Sequence, residues 1–142
     1  MLATSHYYQH KYDLAEQDAR KALKIVDKLP NGSHYHAGVY NVLGLILNKT
    51  GRSREAEPLL REVLAIRERV AKRSNYTAVA LGALGECLTT QKRYAEAEPL
   101  LVESYQMLNG LHVPQSPALK EARERLASLY SAWGKPSVSI PR

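Results

Sequence analysis

Apolar residues recur along this chain at spacings of three and four, with polar residues between them. In the stretch Glu55 to Val70, positions 56, 59, 60, 63, 64 and 70 mark one face of a helix. The pattern also returns at a longer interval. Glu-Ala-Glu-Pro-Leu-Leu stands at 55–60 and again at 96–101, a shift of 41 residues. Leu43-Gly44 and Leu84-Gly85 precede the two copies and are likewise 41 apart. A fixed period of this size means stacked copies of one supersecondary unit.

The same shift aligns Ala15, Ala19, Leu23, Ile25 and Leu29 with Ala56, Leu60, Leu64, Ile66 and Val70, and these with Ala97, Leu101, Tyr105, Met107 and Leu111. Each copy therefore carries a long amphipathic helix, at about 13–29, 54–72 and 95–111. A further helical pattern precedes each of the later two, at 34–50 and 75–91, and another lies near the end, at 117–133. Ser33, Ser74 and Ser116 stand just before these three as N-caps, and Pro117 suits a first helical position. Pro58 and Pro99 fall in opening turns, where the missing N–H has no intrahelical partner. Gly51 and Gly134 mark helix exits, with His10 and Lys92 in the equivalent slots. Gly44, Gly85 and Ala127 share a slot where a small residue lets two helices approach; Gly costs about 1 kcal/mol there relative to Ala, so its recurrence needs a packing reason.

These signals predict an all-α chain of about seven helices in antiparallel pairs, a repeat domain over 1–134. Its units are about 1–32, 33–73 and 74–115, followed by a terminal capping helix at 116–134 and a disordered tail at 135–142. Leu2 aligns with Leu43, so Met1 enters about two and a half turns into the first helix. That leaves a stunted helix at about 2–11 and a weak N-terminal edge. At the other end Lys120, Glu121, Arg123, Glu124 and Arg125 crowd the side a further repeat would cover, as in a capping element.

Composition narrows the function. A chain of 142 residues with 44% apolar content can bury a core. No apolar run approaches the roughly 20 residues of a membrane span, and no signal peptide is visible. The single Cys87 excludes an internal disulfide and fits a reducing, cytoplasmic setting. The formal charge of +6 is spread among alternating acids, as in Arg54-Glu55 and Arg67-Glu68-Arg69, so a solvated surface is preferred to nucleic-acid binding. His34 with His36, and His6 with His10, lack the carboxylate of a zinc motif and read as surface and turn histidines. Cys87 aligns with Ile46 and Leu129 and reads as a buried structural thiol. No phosphate loop, nucleophile elbow or carboxylate pair occurs, so no enzyme, cofactor or metal is expected.

The order Leu-Gly, Gly, Ala-Glu-Pro-Leu resembles the tetratricopeptide repeat over about residues 2–135. The long second helix, Ala-Glu-Pro-Leu-Leu-Arg-Glu-Val-Leu-Ala-Ile-Arg-Glu-Arg-Val at 56–70, is similar to the kinesin-light-chain type. The stretch 125–136 is similar to the ends of arrays that follow bacterial Ser/Thr protein kinase domains. The first unit departs most, with His6 where Leu47 stands and Asp18 where Leu59 stands. The resemblance implies a right-handed α-solenoid whose concave groove, lined by first helices, binds a peptide segment of a protein partner without chemistry of its own. Its groove positions fall on Asn41, Leu45, Asn48 and Lys49, on Gly82, Glu86, Thr89 and Thr90, and on Glu124, Ser128, Ser131 and Ala132, with Thr4, Tyr7 and Tyr8 extending them. Asn41 and Asn48, two turns apart, are expected to face one way without filling the core. The alternative function is self-association, as a homodimer, through the incompletely covered N-terminal edge.

Overall fold

The computed structural model describes residues 2–30, 33–70, 74–110 and 116–135, and among them seven helices and no strand. The helices are α1 (Leu2–Tyr8), α2 (Tyr12–Val26), α3 (His34–Lys49), α4 (Ser53–Val70), α5 (Asn75–Thr90), α6 (Tyr94–Gly110) and α7 (Pro117–Trp133). The chain divides into two compact units, Met1–Lys72 and Arg73–Arg142. In the first, α1 packs on α2, α2 on α3 and α3 on α4; in the second, α5 packs on α6 and both pack on α7. The expected tail, apart from Lys135 at its start, lies outside the described residues.

The three predicted serine caps form. Ser33 Oγ accepts from His36 N at 3.3 Å, Ser74 Oγ from Thr77 N at 3.2 Å and Ser116 Oγ from Leu119 N at 3.1 Å. Each serine is extended, so the chain turns into the helix with one first-turn donor already satisfied.

The exits repeat as well. His10, Gly51, Lys92 and Gly134 have φ of 61°, 77°, 63° and 75°, all left-handed. Past α3, Gly51 N–H donates to Asn48 O and Arg52 N–H reaches back to Leu47 O at 2.8 Å. Past α5, Lys92 and Arg93 repeat this bonding to Thr89 and Leu88. This is the two-bond C-terminal motif that satisfies the last carbonyls of a helix. The same turn at His10 ends α1 at Tyr8, earlier than the expected 11. α2 also stops early, at Val26 rather than 29. There Lys28 and Leu29 N–H bond back three residues to Ile25 and Val26, and Pro30 disfavours helical backbone at Leu29.

The repeated glycines sit where two helices touch. A Cβ on Gly44 would lie 2.6 Å from Leu60 Cδ2, and one on Gly85 2.5 Å from Leu101 Cδ2. Leu60 and Leu101 are both buried. Each glycine thus brings α3 onto α4, or α5 onto α6, closer than alanine permits. Ala127 occupies the same slot of α7 and is exposed, with no second helix over it among the described residues.

The two departures in the first unit answer each other. His6 Nδ1 lies 2.6 Å from Asp18 Oδ2, both side chains about three-quarters buried. A polar pair between α1 and α2 therefore replaces two leucines at once.

One expectation about the cap is corrected. Arg125 does not join the uncovered side of α7 but turns inward and is buried. Its Nε donates to Glu86 Oε2 at 2.8 Å and an Nη to Glu121 Oε2 at 3.1 Å. Lys120, Arg123 and Glu124 are exposed, as expected of a cap.

Candidate functional site

On α3, Leu45 and Asn41 are buried, Asn48 is half-buried and Lys49 is exposed. The expectation that Asn41 stands clear of the core is not met, since it is only 5% exposed. Its Oδ1 is shielded from water and has no hydrogen-bond partner among the described residues. Nearby in sequence, the Tyr40 hydroxyl titrates above its ordinary value, first through burial and then through the Asp27 and Glu62 carboxylates. It therefore stays a neutral donor throughout the physiological range.

The second unit presents a different set. Gly82 is buried under Arg125 and Ser104; a Cβ there would stand 2.8 Å from an Arg125 Nη and 2.9 Å from Ser104 Oγ. Ser104 donates to Ala78 O at 2.6 Å, tying α6 to α5. Glu86, half-buried, is engaged by Arg125. Thr89 and Thr90 donate their hydroxyl protons to Gly85 O and Glu86 O, at 2.8 and 3.1 Å. Their oxygens remain as acceptors only. Glu124, Ser128, Ser131 and Ala132 on α7 are exposed. Among the residues of the N-terminal extension, Tyr7 is buried, Thr4 half-buried and Tyr8 exposed.

Arg125 is a residue the sequence-based expectation misplaced. It aligns with Val42 and Ala83, both buried apolar positions, and that alignment was the available signal. The Tyr94–Trp133 pair was not foreseen either. The rings stand 5.9 Å apart at 30°, and Lys135 Nζ lies 3.8 Å from the Trp133 centroid. Around them Lys92, Arg93, Ala95 and Glu96 complete an open hollow of about 280 Å³.

The residues weighed for chemistry have local partners. His10 Nδ1 is 2.8 Å from Tyr12 Oη, His34 Nδ1 is 3.4 Å from an Arg67 Nη, and buried His36 shares Ser33 Oγ at 2.7 Å. His36 Nε2 also lies 3.3 Å from Asp27 Oδ1, close enough for an ion pair but not aligned for a hydrogen bond. Cys87 is buried, with Gln91 Nε2 donating to its sulfur at 3.4 Å. Among the described residues no group of three or more potential ligands is placed to hold a metal, and no helix is long and apolar enough to cross a membrane.

Capped helix hairpins, recurring every 41 or 42 residues with a glycine at the helix contact, define a helical repeat protein. The family model of the tetratricopeptide repeat matches residues 1–69 and 76–141, and the chain belongs to that family. Comparison with curated proteins returns no match. Tetratricopeptide repeats mediate protein–protein interaction, and the family is typically non-catalytic.

Proposed function

We propose that this chain is a non-catalytic interaction module that holds a peptide segment of a partner protein against its first helices. In the first unit the contacts are Asn41, Asn48 and Lys49 of α3. In the second they are Glu86, Thr89 and Thr90 of α5, with Glu124, Ser128 and Ser131 of α7. In this reading the module is part of a larger signalling or scaffold protein.

The observation that supports this reading is the orphaned Asn41 Oδ1. A buried acceptor without a donor costs about 1–3 kcal/mol, which a well-packed helix has no reason to keep. Once the side chain turns outward, a backbone N–H of a bound segment would remove that cost, and the Asn amide can also donate in return. The threonine oxygens, already spent as donors, likewise favour a ligand that brings N–H groups.

The test begins with peptides selected from a random display library on the full chain. Their titration against wild type and the Asn41→Ala/Asn48→Ala double variant should show a loss of roughly 0.5–1.5 kcal/mol per hydrogen bond. A thermal melt of the same variant should show stability unchanged or slightly raised. Undiminished binding would move the functional surface off α3.

A further inference from the structure

Gly82 is buried and reaches no ligand, yet its missing side chain bears on what Glu86 can do. The Arg125 guanidinium occupies the space: a Cβ on Gly82 would stand 2.8 Å from one Nη. The other two nitrogens each hold a carboxylate, Nε donating to Glu86 Oε2 at 2.8 Å and the second Nη to Glu121 Oε2 at 3.1 Å. Three contacts fix the guanidinium between α5 and α7. The Arg125 side chain is 6% exposed, against 22% for Glu86 and 20% for Glu121. A molecule arriving from solvent therefore meets the carboxylates and not the cation behind them.

The repeat does not call for this arrangement. Arg125 stands where Val42 and Ala83 are buried, Glu86 where Leu45 is buried, and Glu121 where Gly38 and Val79 stand. Taking a guanidinium out of water is costly, and apolar side chains of similar volume are often as stable as a buried ion pair or more so. Packing alone gives no reason to keep three charges here. A carboxylate held in one orientation is, by contrast, ready to accept from a ligand without first losing side-chain freedom.

We infer that Arg125, in the room that Gly82 leaves, is a positioning residue that holds Glu86 in place to accept from an N–H donor of the bound segment. This rests on the reading of Glu86 as a peptide contact. Arg125 itself touches no ligand and acts only through the carboxylate. The donor is an N–H of a basic side chain or of the peptide backbone. Two carboxylates on one guanidinium leave the cluster net negative, which suits either donor and excludes an acidic side chain.

The test titrates a fluorescein-labelled peptide, selected from a display library on the full chain, against Glu86→Gln, Gly82→Ala, Arg125→Met and the doubles with Glu86→Gln. Alanine at 82 pushes the guanidinium aside, because Ser104 Oγ, 2.9 Å from the new Cβ, is tied to Ala78 O at 2.6 Å, whereas the Nη ends a long side chain. Helix propensity favours alanine over glycine, so Gly82→Ala should melt near wild type, and circular dichroism verifies that every variant folds. Each single variant should weaken binding roughly tenfold, about one hydrogen bond to a charged group, and the doubles should bind no worse than the singles. A loss of packing alone would instead add to the loss from Glu86→Gln. Replacing the peptide's basic residues by methionine, or methylating its backbone nitrogens one at a time, identifies the donor, since the right replacement abolishes the effect of Glu86→Gln. If Glu86→Gln weakens binding while Gly82→Ala and Arg125→Met leave it unchanged, or act additively with it, this inference alone is overturned. If neither Glu86→Gln nor Asn41→Ala changes the affinity, the groove reading fails and takes this inference with it.

Discussion

Alanine at Gly85 sets helix propensity against packing, and the geometry decides which wins. Propensity alone favours Ala by about 1 kcal/mol in a helix interior. Against it, the new Cβ would stand 2.5 Å from both Cδ2 and Cγ of Leu101. Ordinary carbon contacts lie at about 3.5–4.0 Å, so roughly 1 Å must open between α5 and α6. Rotating a methyl does not provide it, because Cγ is one bond from the Leu101 Cβ and the side chain is buried. Overpacking of this kind costs about 1–3 kcal/mol, and a clash on two atoms belongs near the upper end. The net loss is therefore about 2 kcal/mol. At roughly 4–8 °C per kcal/mol for a unit of this size, Gly85→Ala should lower the melting temperature by about ten degrees. Ala127 occupies the same repeat position and is exposed, so Ala127→Gly loses only its propensity, about 1 kcal/mol. Thermal melts followed at 222 nm read both. A Gly85→Ala variant that melts above wild type would refute the close approach.

Removing the Ser74 or Ser116 hydroxyl by alanine should cost about 1 kcal/mol each, seen as a lower urea midpoint with unchanged slope. Lys92→Gly should raise the midpoint slightly, since relief of a left-handed backbone worth about 1–2 kcal/mol exceeds the entropy that glycine adds to the unfolded chain; a fall would mean that the Lys92 side chain matters more than its backbone. His6→Leu and Asp18→Leu should each destabilise by about 1 kcal/mol or more, and the double variant should recover most of it. Additive losses in that cycle would show that the pair does not act as a unit. Amides of Leu2–Tyr8 should exchange well before those of α3 and α4, because seven residues fall short of the roughly 12–15 at which isolated helices become marginal.

The elements that sequence made legible are those whose physics is local. Ser33, Ser74 and Ser116 declare helix starts through hydroxyl acceptors, and the residues at 10, 51, 92 and 134 declare exits through position in the period, even where His or Lys replaces Gly. Boundaries were less legible where a turn motif acts against helix periodicity, as at Tyr8 and Val26. Side chains that meet across helices were hidden. His6 and Asp18 each read as a defect in the repeat, and only their juxtaposition makes them a substitution of one contact for another. Arg125 reads as a surface cation by residue type and as a buried position by alignment with Val42 and Ala83. Type prevailed in the sequence-based expectation, and position in the fold. Asn41 repeats that lesson, with the difference that its amide oxygen is left without a partner.

The most direct measurement is nuclear magnetic resonance of the side-chain amides during titration with a library-selected peptide. The Asn41 and Asn48 NH2 pairs should shift first and saturate with the bulk binding curve. Exposed amides on a second helix of a hairpin, such as Gln106 and Asn109 on α6, should stay in place. Saturable binding that leaves Asn41 and Asn48 unmoved while other amides shift would contradict a peptide site on the first helix of the hairpin.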